Sequence, residues 1–459
     1  MKKVIVALGI AICAAAVWHF ATKSDVPLES EVHAPPTSGG RCQQMEDGCA
    51  GYGWSVHPDT ATAVEQALSA ALGSEGAKGD VTFLFYSHQH KPERIVEALR
   101  QARRSSGRVC GWSSWRGVIT PDGYHASPDG VVGLMSLCSP GVTVGVGAAA
   151  FDETESPESS ATLALGRAID DAGDPEPGER PAMILMSTTY DGHEERILEA
   201  LEAATEGEVP VVGGTATGGP PPYGSDWSII AKDQVLRKGL VVCVFYSALP
   251  FGWSFRGGFD RTGKSGVVTK SDGRVIREID GKPALDVYDK WSGGRIAEAM
   301  RAGKDMNTFT GLYPLCRTFT SAQTTHHLFV HAWPPEDGAV SRCLVTSANV
   351  SEGDVVYFSE GSWNILLNRI GALPQLAKGT TPRMPVRAGL FICCEAVLTN
   401  IPLEQRDHMA HLMNRSLGEV PWIGTFTWGE QGNFPGLGNH HGNLLTSVVL
   451  FPEPTAGGE

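Results

Sequence analysis

Residues 207 to 219 read GEVPVVGGTATGG, and residues 418 to 430 read GEVPWIGTFTWGE. Glycines mixed with hydroxyls let backbone N–H groups and side-chain oxygens approach a small polar molecule without interference from Cβ atoms. A related stretch, RVCGWSSWRG, starts at Arg108. The residues of these three stretches expected to line a ligand site are Trp112, Ser113, Gly213, Gly214, Thr215, Thr217, Thr425 and Glu430. The glycines supply close approach, the hydroxyls supply hydrogen bonds, Trp112 supplies an apolar wall, and the Glu430 carboxylate suits an ammonium.

Other residues could do different chemistry. Gly258 to Ser265 formally matches a phosphate-binding loop, but Gly266-Val267-Val268-Thr269 follow as a β run. Without a helix N-terminus to face a phosphate, nucleotide binding is rejected there. Gly145-Val146-Gly147 leads into an acidic loop and is read as strand-end glycine. His88, His90 and His193 stand in loops after strands, a place where ligands bind. Ser113, Thr215 and Cys393 are the nucleophiles an enzyme would use, but no GxSxG elbow or triad spacing accompanies them. No catalytic residue and no metal ligand set is therefore assigned. The paired histidines His326-His327 and His440-His441 lack carboxylates at matching spacing.

The elements that must position these residues repeat. VTFLFYS from Val81 reads as a buried strand, PERIVEALRQARRSSG as a helix, and RVCGWSS as a second strand. MILMSTT from Met183, HEERILEALEAATEG and VPVVGGT repeat that order. Glu93-Arg94-Ile95 and Glu195-Arg196-Ile197 stand 102 residues apart, as do Val109-Cys110-Gly111 and Val211-Val212-Gly213. A third, looser copy runs from the strand at Leu390 through a helix over Glu404 to Ser416 to VPWIGTFTWGE. Each is a βαβ unit with parallel strands and a right-handed crossover, and ligands bind beyond the carboxyl ends of such strands. The fold class is α/β: duplicated βαβ units in mixed sheets flanked by helices, in two related halves. A hairpin is expected around Ser271-Asp272-Gly273, and a helix over Pro283 to Trp291.

The 459 residues suffice for two or three domains, and 42% apolar with 19% charged residues is a globular balance. A net charge of −14 with no basic stripe argues against a nucleic-acid partner. Met1-Lys2-Lys3 followed by the uncharged run Val4 to Trp18 reads as an export segment. A cleaved signal, an uncleaved anchor through residues 4–18 and a lipoprotein at Cys13 all share that property. Residues 22–53, rich in Pro, Ser and Gly, are expected to be a tether, in which Cys42 and Cys49 either close a small disulfide loop or stay as two unpaired thiols.

VVGGTATGG, the run from GWSFRGGF to IDGKPALDVYDKW, and the closing VPWIGTFTWGEQG resemble the FIST sensory domain over roughly residues 54 to 450. The resemblance implies an N-terminal half at 54–258, a C-terminal half at 259–450, and sensing of a small ligand, with an amino acid or amine as the class and haem, on His88, His90 or His193 as axial ligand, as the alternative cofactor. It departs from the family at Glu395-Ala396, where the family's strand continues to Gly-Arg. No output domain follows, so the expectation is a free-standing, non-enzymatic, periplasmic or membrane-anchored receptor with a membrane-bound signalling partner.

Overall fold

In the computed structural model, the residues described are 48–453, apart from 74–78, 103–106, 153, 174–178, 208, 220–225, 322–323 and 382–383. The chain spells one pattern three times: strand, helix, strand, helix, strand, hairpin, strand. In the first repeat these are Cys49–Ser55, helix Thr60–Leu72, Val81–Tyr86, helix Pro92–Ala102, Val109–Ser113, the hairpin Val118–Thr120 with Gly123–His125, and Val132–Cys138. The second runs Val142–Ala150, helix Pro157–Ala172, Met183–Thr188, helix Glu194–Ala204, Val211–Thr215, the hairpin Ile229–Ala231 with Gln234–Leu236, and Gly239–Ser247. The third runs Gly252–Gly257, helix Trp363–Thr380, Val386–Cys394, helix Arg406–Leu417, Trp422–Thr427, the hairpin Glu430–Phe434 with Gly438–Gly442, and Leu445–Pro452.

In each repeat the two strands flanking the second helix pair in parallel, with Leu84 opposite Gly111, Met186 opposite Gly213 and Phe391 opposite Gly424. The crossover units expected from the sequence are thus present. The glycines at these positions admit a neighbouring strand. A Cβ on Gly111 would stand 2.5 Å from the Leu84 carbonyl oxygen, and one on Gly213 would stand 2.0 Å from that of Met186.

No repeat completes its own sheet. The hairpin of the first pairs with the third, where Val118 faces Thr425. The hairpin of the second pairs with the first, where Ile229 faces Trp112. The hairpin of the third pairs with the second, where Glu430 faces Gly214. The exchange closes a ring of three six-stranded sheets. Their inner faces share one core, with Phe83, Phe85 and Met135 from one sheet, Val144, Leu185 and Val241 from the next, and Leu390, Ile392 and Val449 from the last. Helices cover the outer faces. Ile95, Ala98 and Leu99 are buried on one sheet and Ile197, Leu198 and Leu201 on another, as a 3.6-residue apolar stripe requires.

Between the first strand and first helix of the third repeat lies an insertion, residues 260–360, with an eight-stranded sheet and its own apolar cluster. The expected hairpin forms there, Asp260–Asp272 against Val275–Ile279, and helix Ala284–Ser292 follows. The phosphate-loop lookalike runs straight into the long strand Asp260–Asp272, so no helix follows it.

Three sequence expectations need correction. The two related halves are three repeats, and the tether stops short of residue 53, because Cys49–Ser55 is a strand in register with Val132–Cys138. The division at 258/259 falls inside the third repeat, whose first strand Gly252–Gly257 pairs with Leu445–Pro452. Cys49 is disulfide-bonded. Cys42, the tether before residue 48 and the apolar run 4–18 lie outside the described residues. Among the described residues no helix is long and apolar enough to cross a membrane.

Candidate functional site

The carboxyl ends of the parallel strands meet where the three repeats touch, and their exit loops interlock. Thr217 N–H donates to the Ser113 carbonyl at 3.0 Å, and Trp428 N–H donates to the Thr215 carbonyl at 3.1 Å. The first repeat closes the cycle through a side chain: Ser114 Oγ donates to the Phe426 carbonyl at 3.3 Å and accepts from Phe426 N–H at 3.0 Å.

The structure brings Trp112, Ser113, Gly213, Gly214, Thr215, Thr217, Thr425 and Glu430 to this junction and buries them. Their polar atoms are mostly committed to bonds within and between the repeats. Ser113 Oγ accepts from Ser228 N–H at 3.0 Å, and Thr217 Oγ1 accepts from Trp115 N–H at 2.6 Å. Thr215 Oγ1 donates to Glu194 Oε1 at 3.1 Å. A Cβ on Gly214 would strike Thr427 Cγ2 at 2.3 Å. Trp112 meets Phe85 edge to face at 4.7 Å, and Thr425 Oγ1 has no partner. These residues weld the repeats together, and the outward face belongs to the layer above them.

Glu430 is fully buried. Burial pushes its carboxyl up to about 8, against a 2.8 Å hydrogen bond with Thr427 Oγ1 and one at 3.2 Å from Leu445 N–H. It is a neutral acid at pH 7, not the exposed carboxylate expected to meet an ammonium.

The layer above forms a crown. Arg116, from the first repeat's exit loop, pairs with Glu395 at 3.3 Å, their side chains 18% and 8% exposed. Trp428 Nε1 donates to the other Glu395 oxygen at 2.8 Å. Trp428 also packs against Tyr190 at 5.3 Å and Trp227 at 5.8 Å, and those two rings stand 5.9 Å apart, all near perpendicular. The Arg116 guanidinium covers the Trp115 ring at 3.8 Å. Burial raises the Glu395 carboxyl despite Arg116 beside it. All three repeats contribute, and the rings of Tyr190, Trp227 and Trp428 are only half-buried. Sequence reasoning passed over Arg116, Tyr190, Trp227 and Trp428 as site residues. Its one usable signal was Glu395 standing where the resembling family has Gly-Arg.

The haem candidates sit in loops of the first two repeats. The ring of His88 packs against Gly219, and burial lowers the pKa of His88. His90 bonds Thr60 Oγ1 at 3.1 Å, and burial holds it at about 4. His193 meets Phe151 edge-on at 5.5 Å, and burial lowers its pKa too. Cys393 is a buried thiol pushed well up by desolvation, with Thr446 Oγ1 donating to it at 3.4 Å, so it is held as a thiol.

Among the described residues one cluster has metal-ligand chemistry: oxygens of Glu194 and Glu195 and a nitrogen of His441 lie within 4.8 Å of one another. A cation already serves both carboxylates. Arg274 of the insertion reaches Glu194 at 2.7 Å and Glu195 at 2.9 Å. Burial opposes the charge on Glu195, but His441 and Arg274 outweigh it and hold the carboxyl at about 2. The cluster is a buried ionic clamp between the insertion and the second repeat.

A family model described as FIST N domain matches residues 80–282. No curated protein matches the sequence. Among solved structures, PurLQS from Thermotoga maritima is similar at 10% identity, over 92% of this chain and 75% of that chain, with a TM-score of 0.22.

Proposed function

Residues 80–282 belong to the FIST family, whose domains are sensory and bind small molecules, and from that premise we propose that the protein is an extracytoplasmic receptor for an amino acid or amine bound at the crown. The observation that carries this reading is the junction of Arg116, Glu395 and Trp428, drawn from different repeats at the carboxyl ends of parallel strands. An amino acid presents both charges of that pair in reverse. Its carboxylate suits the Arg116 fork and its ammonium suits Glu395. The faces of Tyr190, Trp227 and Trp428 favour a cation further. The export-like residues 1–18 and the disulfide at Cys49 support an oxidising location.

Thermal-shift screening of the full chain against the common amino acids and simple amines tests the reading. A ligand of the native state raises Tm by mass action. We expect a saturable hit whose calorimetric affinity drops about tenfold or more in Glu395→Gln, the loss of one charge-assisted contact. Either no hit across the panel or a hit indifferent to both Glu395→Gln and Trp428→Ala would remove the crown as the ligand site.

A further inference from the structure

A second polar feature lies in the third repeat. A cleft is lined by Arg256 of strand Gly252–Gly257, Thr446 of strand Leu445–Pro452, Leu366, Ile370 and Leu373 of helix Trp363–Thr380, and Val397 of helix Glu395–Thr399. Arg256 and Thr446 are direct cross-strand partners, so their side chains stand on the same face of the sheet. Leu366, Ile370 and Leu373 recur at helical spacing and form the opposing apolar wall.

Arg256 differs from three other partly buried arginines of this fold. Arg116 holds Glu395, Arg274 holds Glu194 and Glu195, and Arg317 holds Asp354. Among the described residues no carboxylate stands beside Arg256, and burial depresses its guanidinium. The second arginine of the cleft, Arg369, is committed to Asp260 at 2.6 Å. The nearby ionisable groups are histidines, and burial first, then Arg256 and the neighbouring imidazoles, hold His326 at about 4. A half-buried cation without a counter-charge is costly, and an anion beside it removes that cost.

We infer that this cleft is a binding site for a single halide-sized anion, held by the Arg256 guanidinium and the Thr446 hydroxyl against an apolar wall. Chemistry selects the class. The cavity is small, about 10 Å³, with room for one small occupant. The hydroxyl of Thr446 now donates to Cys393 Sγ at 3.4 Å, a weak bond it can exchange by rotation for one to an anion. Aliphatic side chains supply the rest of the shell, which suits a weakly hydrated halide better than a strongly hydrated oxyanion.

The test uses the full chain purified in sodium gluconate and titrated with sodium chloride or bromide at constant ionic strength. A saturable rise in Tm with either halide, absent with sulfate, is expected. In Arg256→Gln the apparent affinity should fall about tenfold or more. Thr446→Val should weaken binding by less. Crystals grown in bromide should show an anomalous peak in contact with the Arg256 guanidinium, a readout independent of how well the variant folds. A response that never saturates, that sulfate reproduces, or that persists unchanged in Arg256→Gln would overturn the assignment, as would bromide crystals without a peak at Arg256. Crown ligands play no part in these measurements, so their outcome is separate from that of the receptor reading.

Discussion

Glu430 shows what a residue's type reveals and what it conceals. Its carboxyl is neutral up to about pH 8, against an ordinary value of 4.5. A neutral acid fits the local bonding. The Glu430 O–H can donate to Thr427 Oγ1, whose own proton goes to the Cys393 carbonyl at 3.4 Å, while the second oxygen accepts from Leu445 N–H. An amide reproduces that donor and acceptor set. Between pH 4.5 and about 8 the native state holds one proton more than the unfolded chain, so stability falls as pH rises through this window and levels off above it. Glu430→Gln removes that slope and should be more stable than the parent at pH 8 by on the order of a few kcal/mol, with a smaller difference at pH 5. Urea unfolding of both proteins at the two pH values checks it, and a gap independent of pH would mean that Glu430 is ionised in the fold. Sequence reading selected Glu430, Ser113, Thr215 and Thr217 as polar groups at strand ends. It could not say that Leu445, Ser228, Glu194 and Trp115 would claim them, because those partners arrive from other strands, loops and helices. Gly213 and Gly214 carried the same ambiguity: a glycine that admits a ligand and one that admits a neighbouring strand look identical in sequence.

Elements were legible wherever the signal was local. The 102-residue spacing of Glu93-Arg94-Ile95 and Glu195-Arg196-Ile197, the apolar helix faces and the turn at Ser271-Asp272-Gly273 fixed strand, helix and hairpin before any coordinates. The insertion's attachment was not legible, since Arg274 meets Glu194 across a sequence gap of 80 residues. That clamp predicts an asymmetry. Arg274→Met strands two carboxylates, Glu194 almost wholly buried and Glu195 81% covered, and should cost about 3–5 kcal/mol. Adding Glu194→Gln and Glu195→Gln to the same chain should recover most of the loss, because no charge is then left buried and unpaired. Equilibrium urea unfolding of the single and triple variants decides it, and purely additive losses would show that the clamp is not an electrostatic unit. Acid weakens the same clamp. Glu195 has a depressed pKa, so its contribution is complete above about pH 4.5 and fades as pH falls toward 2.

At the scale of the whole molecule, the hairpin exchange makes the three repeats mutually dependent. Val118 completes the third repeat's sheet, Ile229 the first's and Glu430 the second's. The common core draws on all three inner faces. Removing any repeat opens two sheets, exposing an unpaired strand edge in one and leaving an orphaned hairpin from the other. The family match spans residues 80–282. That segment lacks the strand Cys49–Ser55, the helix Thr60–Leu72, and every third-repeat element beyond the strand Gly252–Gly257. It therefore carries the family signature without the means to close a core. A chain of residues 48–453 should unfold in a single cooperative transition followed by near-UV circular dichroism. Residues 80–282 alone should show neither a cooperative transition nor protected amides, whereas a body built from independent halves would keep both in the shorter chain. Cooperative unfolding of the 80–282 fragment as a monomer would mean that the exchanged hairpins contribute little. The crown would then join separately stable parts, and Arg116 and Glu395 would meet by docking rather than by folding.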